Sequence, residues 1–283
     1  MRILIAGISG LVGSHLAVAA RNMGWIVAGT SRRDLSLSNC FIAQNAQDMD
    51  RAMDYFRPDI LAYCSAWTNV DECEKQPETC LHENALLPGF AAKGASQRGV
   101  RFMLLSSSYI FCGDKNAYTE IDAPTPLNWY GESKRLAEKL VLFHTQEQAL
   151  VVRTMGVYGM RSEGKDFLQQ VVRAVSAGQR IKVASDQYGN FTYAGDLSDN
   201  LLCLFQQNAI GVWHIAGPEP CLCRLDIANQ ICQLGGWDSG LIEPLSSESL
   251  NQKAKRPKYG GLDISKIMAK GLKMRPLEQV WSR

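Results

Sequence analysis

No stretch of this 283-residue chain approaches the ~20 uninterrupted apolar residues of a membrane span, so a membrane protein of that kind is excluded. An excess of one charge is also missing: 30 Lys+Arg stand against 28 Asp+Glu, a net of +2. A protein built to coat nucleic acid neutralises many phosphates, and this balance excludes that design. It leaves room for a local basic cluster that contacts a phosphorylated small molecule. Histidine is scarce, and the four (His15, His82, His144 and His214) show no metal-ligand spacing, so no metal site is assigned. The nine cysteines are odd in number and contain no Cys-x-x-Cys pair. Cys64, Cys112, Cys203 and Cys232 sit inside apolar runs, where a free thiol behaves as a small hydrophobe. The opening Met-Arg-Ile-Leu-Ile-Ala-Gly runs straight into a glycine-rich turn with no cleavable signal, so a reduced, cytoplasmic protein is expected.

What is present is ordinary globular material, 46% hydrophobic and 20% charged, in a chain long enough to bury a large core. Short apolar runs alternate with helical periodicity. Strands are expected at residues 2–6, 25–29, 60–63, 100–106 and 149–153, and helices at 11–23, 48–56, 80–97 and 130–144. This alternation predicts an α/β fold, a Rossmann-type doubly wound parallel sheet. Past Tyr158-Gly159 the pattern loosens. Helices are expected at 167–177, 196–207, 224–234 and 265–271, with a short strand at 181–183. The expected division is a dinucleotide-binding domain over 1–158 with a return segment near 184–213, and a smaller substrate-binding cap from 159–183 and 214–283.

Three motifs carry chemistry. Gly7-Ile8-Ser9-Gly10-Leu11-Val12-Gly13 follows the first strand and opens a helix. Glycines there permit a tight turn and let backbone amides approach a pyrophosphate at the helix N-terminus. A plain tight turn would use the same glycines. At the end of the second strand, where an acid would suit the 2′-hydroxyl of NAD, the chain has Thr30-Ser31-Arg32-Arg33 and no acid before Asp34. Hydroxyls and guanidinium favour the 2′-phosphate of NADPH; a solvated basic turn is the alternative. In Tyr130-Gly131-Glu132-Ser133-Lys134, the phenol and ammonium share a helix face, and the ammonium is expected to lower the pKa of Tyr130. The Ser106-Ser107-Ser108 cluster ends the preceding strand at the carboxyl edge, where open α/β sheets bind ligands.

Longer stretches add to these: 106–113 (SSSYIFCG), Tyr118-Thr119-Glu120, 126–131 (PLNWYG), Arg153-Thr154, Val157-Tyr158-Gly159, 186–189 (DQYG), Thr192-Tyr193-Ala194, Lys255-Arg256-Pro257 and Leu262-Asp263. On them the chain resembles, nearly end to end, the extended short-chain dehydrogenase/reductases and within these the dTDP-4-dehydrorhamnose reductases. The resemblance implies reduction of a 4-keto group on a nucleotide-linked 6-deoxyhexose with hydride from NADPH, and relatives that form homodimers. It matches Ser107, Tyr130 and Lys134 to the catalytic residues. It places the cofactor against Gly7, Gly10, Leu11, Val12, Gly13, Ser31, Arg32, Arg33, Ser65 and Ala66, together with Tyr130 and Lys134. It places the nucleotide-sugar substrate against Thr68, Val70, Ser108, Gly156 and Arg256, the last as a diphosphate contact.

The chain also departs from the family pattern. Ser108 stands where an Asp is usual, Gly156 where an aromatic ring, commonly Trp, walls the sugar, and Phe191 where Pro is usual. Two other readings stay open. One is an NADP-binding regulatory subunit like the beta subunit of methionine adenosyltransferase. The other is a nucleotide-sugar epimerase or dehydratase, against which stand the Arg32-Arg33 turn and the lack of a carboxylate at Ser108.

Overall fold

The computed structural model describes residues 1–35, 39–160, 164–218 and 220–281. Its frame is a parallel sheet. The chain lays down β1 (Arg2–Ala6), α1 (Leu11–Asn22), β2 (Ile26–Ser31), β3 (Cys40–Ile42), α2 (Ala46–Phe56) and β4 (Ile60–Tyr63). The short helices α3 (Val70–Lys75) and α4 (Pro77–Leu81) follow, then a π-helical turn (His82–Leu86) that runs into α5 (Leu87–Gln97). Next come β5 (Arg101–Ser107), α6 (Trp129–His144), β6 (Leu150–Thr154), α7 (Phe167–Ser176), β7 (Ile181–Ala184), β8 (Tyr188–Gly189), α8 (Ala194–Gln206) and β9 (Gly211–His214). The chain ends through β10 (Leu222–Cys223), α9 (Arg224–Gly235), β11 (Ile242–Leu245), α10 (Ser265–Met268) and α11 (Leu277–Trp281). Seven strands form the main sheet in the order β3-β2-β1-β4-β5-β6-β9, all neighbours parallel.

Alternation along the strands covers both faces. Ile3 and Ile5 of β1 pack on one side in a core shared with Leu16 of α1 and Leu201 of α8. Leu4 and Ala6 face the other, with Met53 of α2, Ala92 of α5 and Val141 of α6. The strand order reverses between β1 and β4, which opens the crevice where such sheets bind ligands. Among the described residues no helix is long and apolar enough to cross a membrane.

The fold adds β3, α3, β8, β9, β10, β11 and α11 to the elements expected from the sequence, and three of the expected elements depart most from their bounds. Strand β2 does not stop at Gly29 but runs to Ser31, because β3 pairs with Gly29, Thr30 and Ser31. The helix expected at 80–97 begins at Pro77 and is broken by the π turn. Pro88 has no amide hydrogen to return to Asn84, and the Leu87 amide bonds His82 instead. The helix expected over 265–271 ends at Met268, ahead of Gly271 at φ +73°.

Candidate active site

The glycine turn is built for close approach. Gly7 takes φ +80°, and a Cβ on it would lie 3.0 Å from the Ser65 backbone. A Cβ on Gly13 would lie 2.2 Å from the Gly7 carbonyl oxygen, so only glycine lets α1 begin directly behind β1. Gly10 caps α1 without a side-chain bond, and the first turn carries no acidic residue. The amides there have no carbonyl earlier in the helix to bond, and they aim a positive helix end at the crevice. These features fit the pyrophosphate of a dinucleotide.

A cavity of about 1230 Å³ runs from this turn across the carboxyl ends of the strands. Its lining brings together Gly7, Gly10, Leu11, Val12, Ser31, Arg32, Arg33, Ser65 and Ala66 at one end. Ser107, Tyr130 and Lys134 line its middle, with Thr68, Val70, Gly156 and Arg256 beside them. Gly13 and Ser108 are not brought into the lining. Gly13 serves as a packing residue under the turn. Ser108 is buried, its Oγ without a hydrogen-bond partner and close to Gly260.

Ser107 is the last residue of β5, and its hydroxyl accepts the Tyr109 amide at 3.2 Å. Helix α6 reaches it because Asn128 caps the helix by accepting the Gly131 amide at 2.8 Å. A Cβ on Gly131 would sit 2.1 Å from the Tyr109 carbonyl oxygen, so glycine after Tyr130 is what permits the approach. The Ser107 hydroxyl then stands beside the Tyr130 phenol, where it favours the ionised form. The Tyr130 ring is buried beside Cys73 and Cys80 and meets Tyr109 edge-on at 5.6 Å.

The electrostatics correct one expectation. Burial pushes the Tyr130 phenol up, and the group that pulls it back is the Ser107 hydroxyl, not the lysine. Lys134 is buried, and its ammonium donates to the Leu105 carbonyl at 2.7 Å. Desolvation lowers its pKa to about 8, against the opposing pull of Glu138.

At the far end, Arg256 is held by its own neighbours. Its guanidinium pairs with Asp71 at 3.1 Å and donates to the Ala254 carbonyl at 3.1 Å. The space at Gly156 is not empty. A Cβ there would lie 2.6 Å from the Phe191 ring, so the unusual phenylalanine fills the position that the unusual glycine vacates. Phe191 packs on Phe167, ring centroids 6.0 Å apart, and Phe167 lines the cavity together with Arg224. The sequence reading missed Glu83, which also lines the cavity and pairs with Arg32 at 3.3 Å. Nothing local to residues 30–34 announces it.

Residues 1–281 match the model of the family described as the RmlD substrate binding domain. A probable low-salt glycan biosynthesis reductase of Haloferax volcanii is 30% identical over 275 residues, covering 94% of this chain and 91% of the relative. A dTDP-4-dehydrorhamnose reductase of Mycolicibacterium smegmatis is 32% identical, covering 96% and 80%. The crystal structure of a dTDP-4-dehydrorhamnose reductase from Bacillus anthracis in complex with NADP superposes with a TM-score of 0.90 at 26% identity, covering 100% and 97%. With its glycine turn, serine, tyrosine and lysine gathered on one cavity, the chain belongs to the RmlD substrate binding domain family.

Proposed function

We propose that this protein is an NADPH-dependent reductase of the 4-keto group of a nucleotide-diphosphate-linked 6-deoxyhexose. The observation that carries the reading is that Ser107, Tyr130 and Lys134 open onto the same cavity as the glycine turn. The names of the reductase relatives, and the NADP held by the Bacillus structure, support it.

NADPH supplies the hydride when bound. The turn at Gly7 and the start of α1 hold its pyrophosphate, and Ser31, Arg32 and Arg33 hold the adenosine ribose and its phosphate. Ser107 Oγ donates to the substrate carbonyl oxygen, and Tyr130 Oη delivers the proton that oxygen needs as it becomes an alcohol. Lys134, held by the Leu105 carbonyl, orients the nicotinamide ribose and places a positive charge behind the tyrosine. Thr68 and Val70 position the sugar. Arg256, fixed by Asp71, meets the diphosphate. In this reading residues 1–158, with 184–213, hold the cofactor, and 159–183 with 214–283 cover the sugar.

The test is NADPH oxidation against a panel of nucleotide-linked 4-keto-6-deoxy sugars, with Tyr130→Phe as control. Turnover that vanishes in the variant is the expected result. NADPH binding without reduction of any panel member would overturn the reading and direct the search to a partner enzyme.

A further inference from the structure

We infer that Glu83 sets how far this protein distinguishes NADPH from NADH, by competing with the cofactor for Arg32; the inference rests on the proposed dinucleotide site. The end of β2 carries only hydroxyls and arginines, which alone would make a one-sided phosphate site. The fold adds a carboxylate from another element. Glu83 belongs to the π turn between α4 and α5, and its Oε2 lies 3.3 Å from Arg32 Nη1. Both residues line the cavity with Gly7, Ser31 and Arg33.

The two partners are unequal. The Arg32 side chain is 63% exposed and that of Glu83 26%, so the carboxylate is the fixed member and the guanidinium the mobile one. The other carboxylate oxygen of Glu83, Oε1, lies 3.5 Å from His82 Nδ1. A 2′-phosphate gains Arg32 and Arg33 only by drawing Arg32 off Glu83, and it then faces an uncompensated carboxylate. A 2′-hydroxyl leaves the ion pair intact and donates to that same carboxylate, the role an acid plays in NAD sites. Glu83 therefore opposes the phosphate preference that Arg32 and Arg33 create, and it gives NADH a foothold in the same cavity.

The test is fluorescence titration of NADPH and NADH against the unmutated protein, Glu83→Gln, Glu83→Lys, Arg32→Ala and the Arg32→Ala/Glu83→Gln double variant. Glu83→Gln is expected to tighten NADPH roughly 1.5- to fivefold, as for an exposed charge pair, and to weaken NADH. Glu83→Lys moves the ratio further the same way. Arg32→Ala narrows the ratio, and in its presence the Glu83→Gln effect on NADPH shrinks. The Glu83→Gln effect also falls as salt is raised, because an exposed pair is screened. Equal shifts for both cofactors, or an unchanged ratio, would overturn the role of Glu83. Failure of the unmutated protein to bind either cofactor would overturn the dinucleotide site itself.

Discussion

Glu138 and Arg153 lie locked together near Ser107 and Lys134, Nη2 to Oε2 2.8 Å, with both side chains almost wholly buried. The same carboxylate accepts the Ser106 hydroxyl at 2.5 Å. Ser106 precedes Ser107 on β5, and Glu138 lies one turn beyond Lys134 on α6. One carboxyl group thus ties the strand that carries the serine to the helix that carries the tyrosine and lysine.

Breaking that pair should be costly, and replacing it should not be. Glu138→Gln leaves a charged Arg153 in the interior, and unfolding in denaturant should show a loss of about 3–5 kcal/mol. Glu138→Leu combined with Arg153→Met removes both charges and should recover most of it. Activity should separate the two roles, because Glu138→Gln keeps an oxygen that can accept the Ser106 hydroxyl and the Leu/Met variant does not. The kcat of the Leu/Met variant should fall while NADPH affinity holds. A double variant as unstable as the single one would show that the charge pair is not what the site depends on.

Tyr130→Phe removes the proposed proton donor and leaves the ring among Cys73, Cys80 and Tyr109. A fall in kcat of roughly 10²–10⁴-fold is expected, the usual worth of a placed acid. NADPH titration should show unchanged binding. Ser107→Ala should lower kcat as well, and it should raise the pH at which the phenol titrates, since the Ser107 hydroxyl is the group that lowers it. Retained turnover in Tyr130→Phe would assign the proton to another group.

The sheet and the glycine turn are legible in the sequence because both rest on local signals. Ile3 and Ile5 alternate with Leu4 and Ala6, and Gly7 and Gly13 stand where a Cβ cannot. Ser107, Tyr130 and Lys134 are legible for the same reason, a strand end and one helix face. What sequence does not show is pairing at a distance. The continuation of β2 to Ser31 depends on β3, which has only three residues and no strong pattern. Glu83 reaches Arg32 from 51 positions away, and Phe191 reaches Gly156 from the other side of α7. The pull of Lys134 on Tyr130, inferred from their spacing, loses to burial, which spacing cannot report.

Burial of Lys134 makes a prediction about pH. Its folded pKa is about 8 and its unfolded value about 10.4, so the unfolded chain holds the proton more tightly. Stability is therefore reduced in full below about pH 8, by about 3 kcal/mol, and the loss fades as pH rises through the unfolded value. Lys134→Met lacks this dependence. The stability of the unmutated protein relative to Lys134→Met should rise between pH 8 and 10, measured by denaturant unfolding at each pH. Over the same range kcat/KM of the free enzyme should fall as the ammonium is lost. A flat stability difference would mean that the lysine stays charged within the fold.

Gly156 and Phe191 form one unit, and their coupling can be measured. Gly156 holds φ +53°, so alanine there adds backbone strain of roughly 1 kcal/mol. Its Cβ would also drive the Phe191 ring aside, and overpacking costs a further 1–3 kcal/mol or so. The ring has little freedom to move. Phe167 packs on it, and the Arg224 guanidinium lies 5.6 Å from its centroid. In a Phe191→Ala background the collision is gone and the strain remains, so Gly156→Ala should then cost only about 1 kcal/mol. The difference between the two backgrounds is the coupling energy. Displacement of Phe191 passes to Phe167 and Arg224, which line the cavity, so Gly156→Ala should raise KM for the sugar nucleotide and leave NADPH affinity alone. Strict additivity of the two substitutions would show that the ring and the glycine are independent, and that the exchange at these positions does not shape the sugar end of the cavity.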